Sequence, residues 1–164
     1  MEMAESGMYV YVSHQGARQI SVYRMSSSGE LSKVQDVSVA GKAMPMAVSL
    51  DRRFLYTALR YTDPFVFSSF AIDGATGLLT HLADVPVAES SPYISLDRTG
   101  RFVLAAYNPR DRVRRTGLIS VSAISQHGYA QTPHQVIRTP PKAHAILADP
   151  SNRFVFATSC DNDT

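Results

Sequence analysis

Apolar residues in this chain come in short runs separated by turn residues, and nowhere with the helical spacing that would give an amphipathic helix of useful length. The runs read as strands: Met8 to Ser13, Gln19 to Met25 and Lys33 to Val39. The pattern then restarts in fours. Pro45 to Leu50, Arg53 to Leu59, Phe65 to Ile72 and Leu78 to Val87 form one set. Pro92 to Leu96, Phe102 to Tyr107, Leu118 to Ile124 and roughly Gln131 to Ile137 form the next. A last set begins at His144 and holds two strands. Between them lie Ser26–Gly29, Asp73–Gly77 and Gln126–Gly128, whose Gly, Ser and Asp residues suit tight hairpins.

One cassette recurs inside these sets. Small apolar residues lead into an aspartate turn, and then Arg-Phe opens a β-branched and aromatic run. The copies are Ala47 to Ala58, Tyr93 to Ala106 and Ala145 to Ala157, with Arg-Phe at Arg53-Phe54, Arg101-Phe102 and Arg153-Phe154. Asp51, Asp97 and Asp149 read as turn formers that recur with the cassette. Four-stranded units repeating every 40–50 residues or so without helices predict an all-β fold, a β-propeller of four-stranded antiparallel blades. A sandwich is the alternative, but its strands have no reason to recur in fours. No tryptophan is present, so the WD-repeat type is not expected. The reading gives one domain over residues 1–164, with blades near 8–39, 45–87 and 92–138 and a broken blade over 144–164. The first unit lacks an inner strand and the last stops after two. The expectation is therefore an incomplete propeller, the N-terminal part of a longer protein, with open strand edges through which it could self-associate.

The meander also predicts which residues share a rim. Turns entering the first strand and leaving the second lie on one face, and the other hairpin turns lie on the opposite face. Lys142 and His144 then share a rim with His14, Met44, Arg60, Ser90, Ser91, Tyr107, Asn108 and Asp161. A first strand lines the central channel, so this rim is where a pocket can form. A histidine there can serve as general base; a histidine satisfied by a backbone carbonyl is the alternative. Arg60 could hold an anionic group or cap a blade edge. Asp161 and Asp163 could orient a ligand or be solvated turn residues.

Composition narrows the chemistry. The 164 residues carry a formal net charge of +2, and 45% are hydrophobic and 18% charged, as in a globular domain. Arginine supplies thirteen of the sixteen basic residues, which suits carboxylate or phosphate recognition. The single cysteine, Cys160, rules out an internal disulfide and a cysteine-cluster metal site. The five histidines show no metal-ligand spacing, and no phosphate-binding glycine loop or nucleophile elbow is present. The arginine-rich run over 110–115 lacks interleaved aromatics and reads as a solvated insertion, not a nucleic-acid site. No apolar run reaches membrane-spanning length and no basic, apolar leader opens the chain, so a cytoplasmic protein is expected.

Several segments resemble the bacterial lactonase propellers of the 6-phosphogluconolactonase type, which are related to fungal carboxymuconate lactonizing enzyme. They are Met8-Tyr-Val-Tyr-Val-Ser13, Leu50 to Tyr56 with Arg60 following, Asp73 to Leu79, and Ser91 to Phe102 with Tyr107-Asn108. The most specific is Lys142-Ala-His-Ala145 with Asp149 to Phe154. The resemblance implies seven blades, of which this chain holds about three and a half. It implies that His144 stands where the family's proposed catalytic histidine stands. Some relatives carry a second histidine where this chain has Lys142. Arg60, Asn108 and Lys142 become the expected substrate-binding residues. The implied reaction is hydrolysis of a sugar or phosphosugar lactone to the free acid, in the pentose phosphate pathway, with no cofactor and no nucleic-acid or membrane partner. A muconate-type cycloisomerase and a non-catalytic binding platform are the alternatives.

Overall fold

The structure is a computed structural model that describes residues 7–60, 62–109 and 116–160. Among these there are thirteen strands and no helix. The first sheet contains β1 (Met8–His14), β2 (Gln19–Met25) and β3 (Leu31–Ser38). The second contains β4 (Lys42–Val48), β5 (Phe54–Arg60), β6 (Val66–Ile72) and β7 (Leu79–Pro86). The third contains β8 (Tyr93–Leu96), β9 (Phe102–Tyr107), β10 (Gly117–Ala123) and β11 (Gln135–Thr139). The fourth pairs β12 (Ala143–Ala148) with β13 (Val155–Ser159). Every pairing is antiparallel between neighbours in sequence. The arginine-rich run, Asp161 and Asp163 lie outside the described residues.

Register makes the sheets superimposable in the chain. Ser21 on β2 donates to Asp36, and Ser68 on β6 donates to Asp84 at 2.5 Å. Both outer hairpins bulge next to that serine, at Val22/Tyr23 and at Ser69/Phe70. So β2 and β3 correspond to β6 and β7, and β1 corresponds to β5. The first sheet has no inner strand among the described residues. The inner strands β4, β8 and β12 pack side by side.

The core lies between sheets. One cluster, built on Ile20, Leu55, Leu59 and Phe70, joins the first and second sheets. Tyr56, Phe67, Ile94 and Val103 join the second and third. Leu104, Ala106, Ala143 and Ile146 join the third and fourth. Alternate residues of β5 and β9 serve the layers on either side, so both strands are buried on both faces.

Two strand positions differ from the sequence expectation. The strand expected over Pro45 to Leu50 begins at Lys42, because a bulge between Ala43 and Met46 takes up Pro45, which cannot donate a ladder hydrogen bond. The strand expected at Gln131 begins at Gln135. Pro133 interrupts the ladder, and Ala130 forms only an isolated bridge with Ile124.

The cassette is also offset from its aspartates. In each copy one residue accepts, through its side chain, the N–H groups of the Arg-Phe pair. That residue is Ser49, Asp97 or Asp149. Two residues on stands its partner, Asp51, Thr99 or Ser151. Asp51 is thus a turn former, but it occupies the place of Thr99 and not of Asp97. The first copy has exchanged acid and hydroxyl. The next position is left-handed in all three, at Arg52, Gly100 and Asn152.

The turns at Gly77 and Gly128, which read as plain hairpins, are joints between sheets. Tyr11 donates to Gly77 O at 2.9 Å and Tyr56 to Gly128 O at 3.0 Å. The ring two residues before each tyrosine packs closely against that glycine. A Cβ on Gly77 would fall 2.3 Å from Tyr9, and one on Gly128 2.0 Å from Phe54. Both glycines are also left-handed, at φ 70° and 85°.

Candidate functional site

The ends of the strands divide the expected residues as the meander requires. Lys42 opposes Arg60, and Ala143 opposes Ser159, at one end of their sheets. Val48 opposes Leu55 and Ala148 opposes Val155 at the other, next to the cassette turns. His144, Lys142, Arg60 and Asn108 therefore lie on one rim, and Asp51, Asp97 and Asp149 on the opposite rim.

His144 sits where β12 departs from regular pairing. The register shifts between Ala143 and Ala145, so His144 has no partner in the β12–β13 ladder. Such bulges re-aim a side chain. The residue is exposed. It is preceded by Lys142, whose left-handed φ of 57° turns the chain into the strand. The Lys142 carbonyl accepts the Cys160 N–H at 3.1 Å, and Ser159 Oγ donates to the Pro141 carbonyl, which ties this entry to the end of β13. The register aligns Met44, Pro92 and His144 at one structural position on β4, before β8 and on β12. Of these three rim positions, only the one in the fourth sheet carries an acid–base side chain.

Counting outward from the paired residues puts Lys42, Ser90 and Lys142 at the entry to the inner strand, and Arg60, Asn108 and Cys160 at the exit of the second strand. Arg60 and Asn108, expected as separate binding residues, are thus one position in successive sheets. Arg60 and Asn108 are half-buried, and Cys160 is exposed. Ser91 on this rim is structural. Its hydroxyl lies 2.8 Å from the Ala106 carbonyl and 2.9 Å from the Tyr93 carbonyl. Lys42 and Thr62 were not singled out from sequence. The signal for Lys42 was present in the repeated Lys-Ala of Lys42-Ala43 and Lys142-Ala143.

Electrostatic bias is strongest on the opposite rim, where it is structural. A hydrogen bond from Ser151, then the Phe154 N–H, holds the Asp149 carboxyl down to about 2. Burial works against Asp97, but bonds from Thr99, the Phe102 N–H and Asn152 outweigh it, so that carboxyl also stays below its usual range. The cassette turns of the third and fourth sheets are bound together there: Asn152 accepts the Arg98 N–H at 2.8 Å and donates to Asp97 at 3.2 Å. A groove of about 670 Å³ between the second and third sheets opens on that rim, lined by Arg53, Arg101, Gln126 and His127, and contains none of the expected site residues. Among the described residues, no group of three or more His, Cys, Asp or Glu is placed to hold a metal ion.

The family model described as Lactonase, 7-bladed beta-propeller matches residues 9–164. The chain belongs to this family. Among curated relatives, the 6-phosphogluconolactonase of Yersinia pestis (strain Pestoides F) is 33% identical over 154 residues. That match covers 94% of this chain and 43% of the relative, so the chain spans less than half the length of the curated relatives it matches. Solved structures share the fold. A Lactobacillus plantarum protein superimposes with a TM-score of 0.81 at 21% identity, over 94% of this chain and 46% of that one. The periplasmic gluconolactonase of Pseudomonas aeruginosa does so with a TM-score of 0.77 at 19% identity, over 92% and 46%. The four sheets of this lactonase propeller chain are successive blades, and the candidate rim is the one on which the inner strands β4, β8 and β12 begin. No helix among the described residues is long and apolar enough to cross a membrane.

Proposed function

We propose that the propeller containing this chain is a lactone hydrolase, that its substrate is 6-phosphogluconolactone or a close sugar lactone, and that His144 is its general base. The observation that carries this is the bulge on β12, which leaves a single exposed histidine at a rim position that Met44 and Pro92 fill in the preceding blades. The 33% identity to a 6-phosphogluconolactonase supports the substrate class.

In the reaction, His144 takes a proton from water as the water oxygen bonds to the ring carbonyl carbon. Cationic and amide donors on the rim stabilise the oxyanion that develops, with Arg60, Asn108 and Lys142 as the residues assigned to bind substrate. The carbonyl re-forms as the ring C–O bond breaks. The proton passes to the departing ring oxygen, giving the open hydroxy acid. With this substrate the reaction belongs to the pentose phosphate pathway, and we assign the protein to the cytoplasm.

The test is lactone hydrolysis by the complete propeller, followed as acid release. His144→Ala should lower kcat by about 10²–10⁴-fold, the usual contribution of a positioned acid–base group, with the thermal unfolding midpoint unchanged. Full activity in His144→Ala would remove the histidine from the mechanism. Absence of hydrolysis in the wild-type propeller would favour a binding platform. The 164-residue chain alone carries part of the rim and should not exceed the spontaneous rate, because facing blades are needed to complete the pocket and exclude water.

A further inference from the structure

The groove on the rim opposite His144 is complete within this chain. It lies between the second and third blades, which pack against the first and the fourth on their other sides, so no further blade is needed to build it. Its volume of about 670 Å³ is that of a small-molecule site, for which about 300–1,000 Å³ is usual. Its walls come from the cassette turns of both blades and from the turn between β10 and β11. The joint at which Tyr56 donates to Gly128 O at 3.0 Å is part of the lining, so a molecule seated there touches both blades.

Each of the two cassettes contributes its arginine. Arg53 lies over the Phe54 ring at 5.4 Å and Arg101 over the Phe102 ring at 5.7 Å, and Arg101 Nε also donates to Thr99 Oγ1 at 3.1 Å. Stacking holds a guanidinium in place before any ligand arrives, which lowers the ordering cost of binding. Among the described residues neither arginine forms an ion pair. One carboxylate lines the groove, that of Asp51, and its own turn engages it: it accepts Ser49 Oγ at 2.6 Å and the Arg53 N–H at 3.1 Å. Two guanidiniums against one carboxylate leave the groove cationic. Arg153 is stacked in the same way, at 5.6 Å, but does not line the groove, so the meeting of two arginines comes from blade packing and not from the cassette alone. The same groove exposes apolar surface, with Leu50 59% and Leu82 38% accessible.

We infer that this groove binds a small organic acid with an apolar body, whose carboxylate meets Arg53 and Arg101 and whose body covers Leu50 and Leu82. A guanidinium presents a planar fork that matches a carboxylate bidentately. A sugar acid suits the groove less well, because its hydroxyls need acceptors and the one carboxylate of the lining is already engaged. The site therefore differs in ligand from the rim that carries His144, and it does not depend on the lactonase reading.

The experiment is titration calorimetry and thermal unfolding of the purified complete propeller, with 2-naphthoate as probe. The controls are 2-naphthylmethanol, which keeps the body without the charge, acetate, which keeps the charge without the body, and gluconate. Wild type should bind 2-naphthoate at least about tenfold more tightly than any control, a difference of about 1.4 kcal/mol. The probe should also raise the unfolding midpoint by mass action. Arg53→Gln and Arg101→Gln together should remove the advantage of 2-naphthoate over the alcohol. Arg153→Gln, which removes the same stacking outside the groove, should leave that advantage unchanged. Should the double substitution unfold the blades, Arg101→Lys keeps the charge without the planar fork, and it should weaken 2-naphthoate by about threefold. Equal binding of 2-naphthoate and the alcohol by wild type would overturn the site. So would an advantage that survives the double substitution or Arg101→Lys, or one that Arg153→Gln reduces as much.

Discussion

The second strand of the repeat occurs in three settings with nearly the same sequence. In β5 and β9 it is buried; in β13 it is bare. Leu55 and Val103 are fully buried, while the equivalent Val155 is 52% exposed. Tyr56 and Leu104 are 1% and 4% exposed, while the equivalent Phe156 is 65% exposed. Local structure does not account for this, since the turn, the left-handed residue and the stacking of arginine on phenylalanine are the same in all three. The difference is in the neighbours. β5 and β9 have an outer strand beside them and another sheet on each face, whereas β13 pairs with β12 alone among the described residues. The cassette therefore specifies a strand that is ready to be buried, and burial comes from the blades around it.

The sharpest test of that contrast adds a methyl group to a joint. Gly128→Ala places a Cβ 2.0 Å from the Phe54 ring and forces a left-handed alanine. It should cost about 3 kcal/mol or more in chemical denaturation, from overpacking and backbone strain together. Next come truncations at one structural position. Leu104→Ala should cost about 2–5 kcal/mol. Phe156→Ser should change stability by less than about 0.5 kcal/mol and reduce self-association seen by light scattering. Equal costs at the two positions would mean that β13 is covered in solution.

Titration separates the joints from the turns. Burial raises the Tyr56 hydroxyl well above the usual tyrosine range, and burial, partly offset by a bond with Ser120, raises Tyr107 to about 12. Both are neutral in the fold, so their contribution is complete below about pH 10 and is lost as pH rises towards 12. Tyr56→Phe should lower stability at neutral pH by about 1 kcal/mol, through its bond to Gly128, and should flatten this alkaline loss. The turn carboxylates behave oppositely. Asp149 is held down to about 2, so its contribution is present above about pH 4 and is lost as pH falls towards 2. Asp149→Asn should flatten the acid limb of the stability profile and leave the alkaline limb unchanged. The smallest effect is expected at Arg52, a left-handed non-glycine residue. Arg52→Asn should stabilise by about 0.5 kcal/mol, because asparagine tolerates that conformation better.

The sequence by itself determined the class of fold. Strand periodicity, the turn residues and the 48- and 52-residue recurrence of Arg-Phe are local signals, because side-chain alternation and turn chemistry act over a few residues. They also sufficed to put His144, Arg60 and Asn108 on one rim, since an antiparallel meander leaves no freedom in which strand ends coincide. What they could not show is which residue answers which across the chain. Asp51 was matched to Asp97 by its Leu-Asp-Arg context, but hydrogen bonding to the Arg-Phe N–H groups assigns that place to Ser49. The turns at Gly77 and Gly128 look ordinary until Tyr11 and Tyr56, 66 and 72 residues away, are found bound to them. The opposition of Lys42 and Arg60 depends on a register that a bulge at Met44 and Pro45 shifts. A bulge is decided by how two strands and their neighbours pack together, so only the tertiary structure settles which side chains meet on the rim.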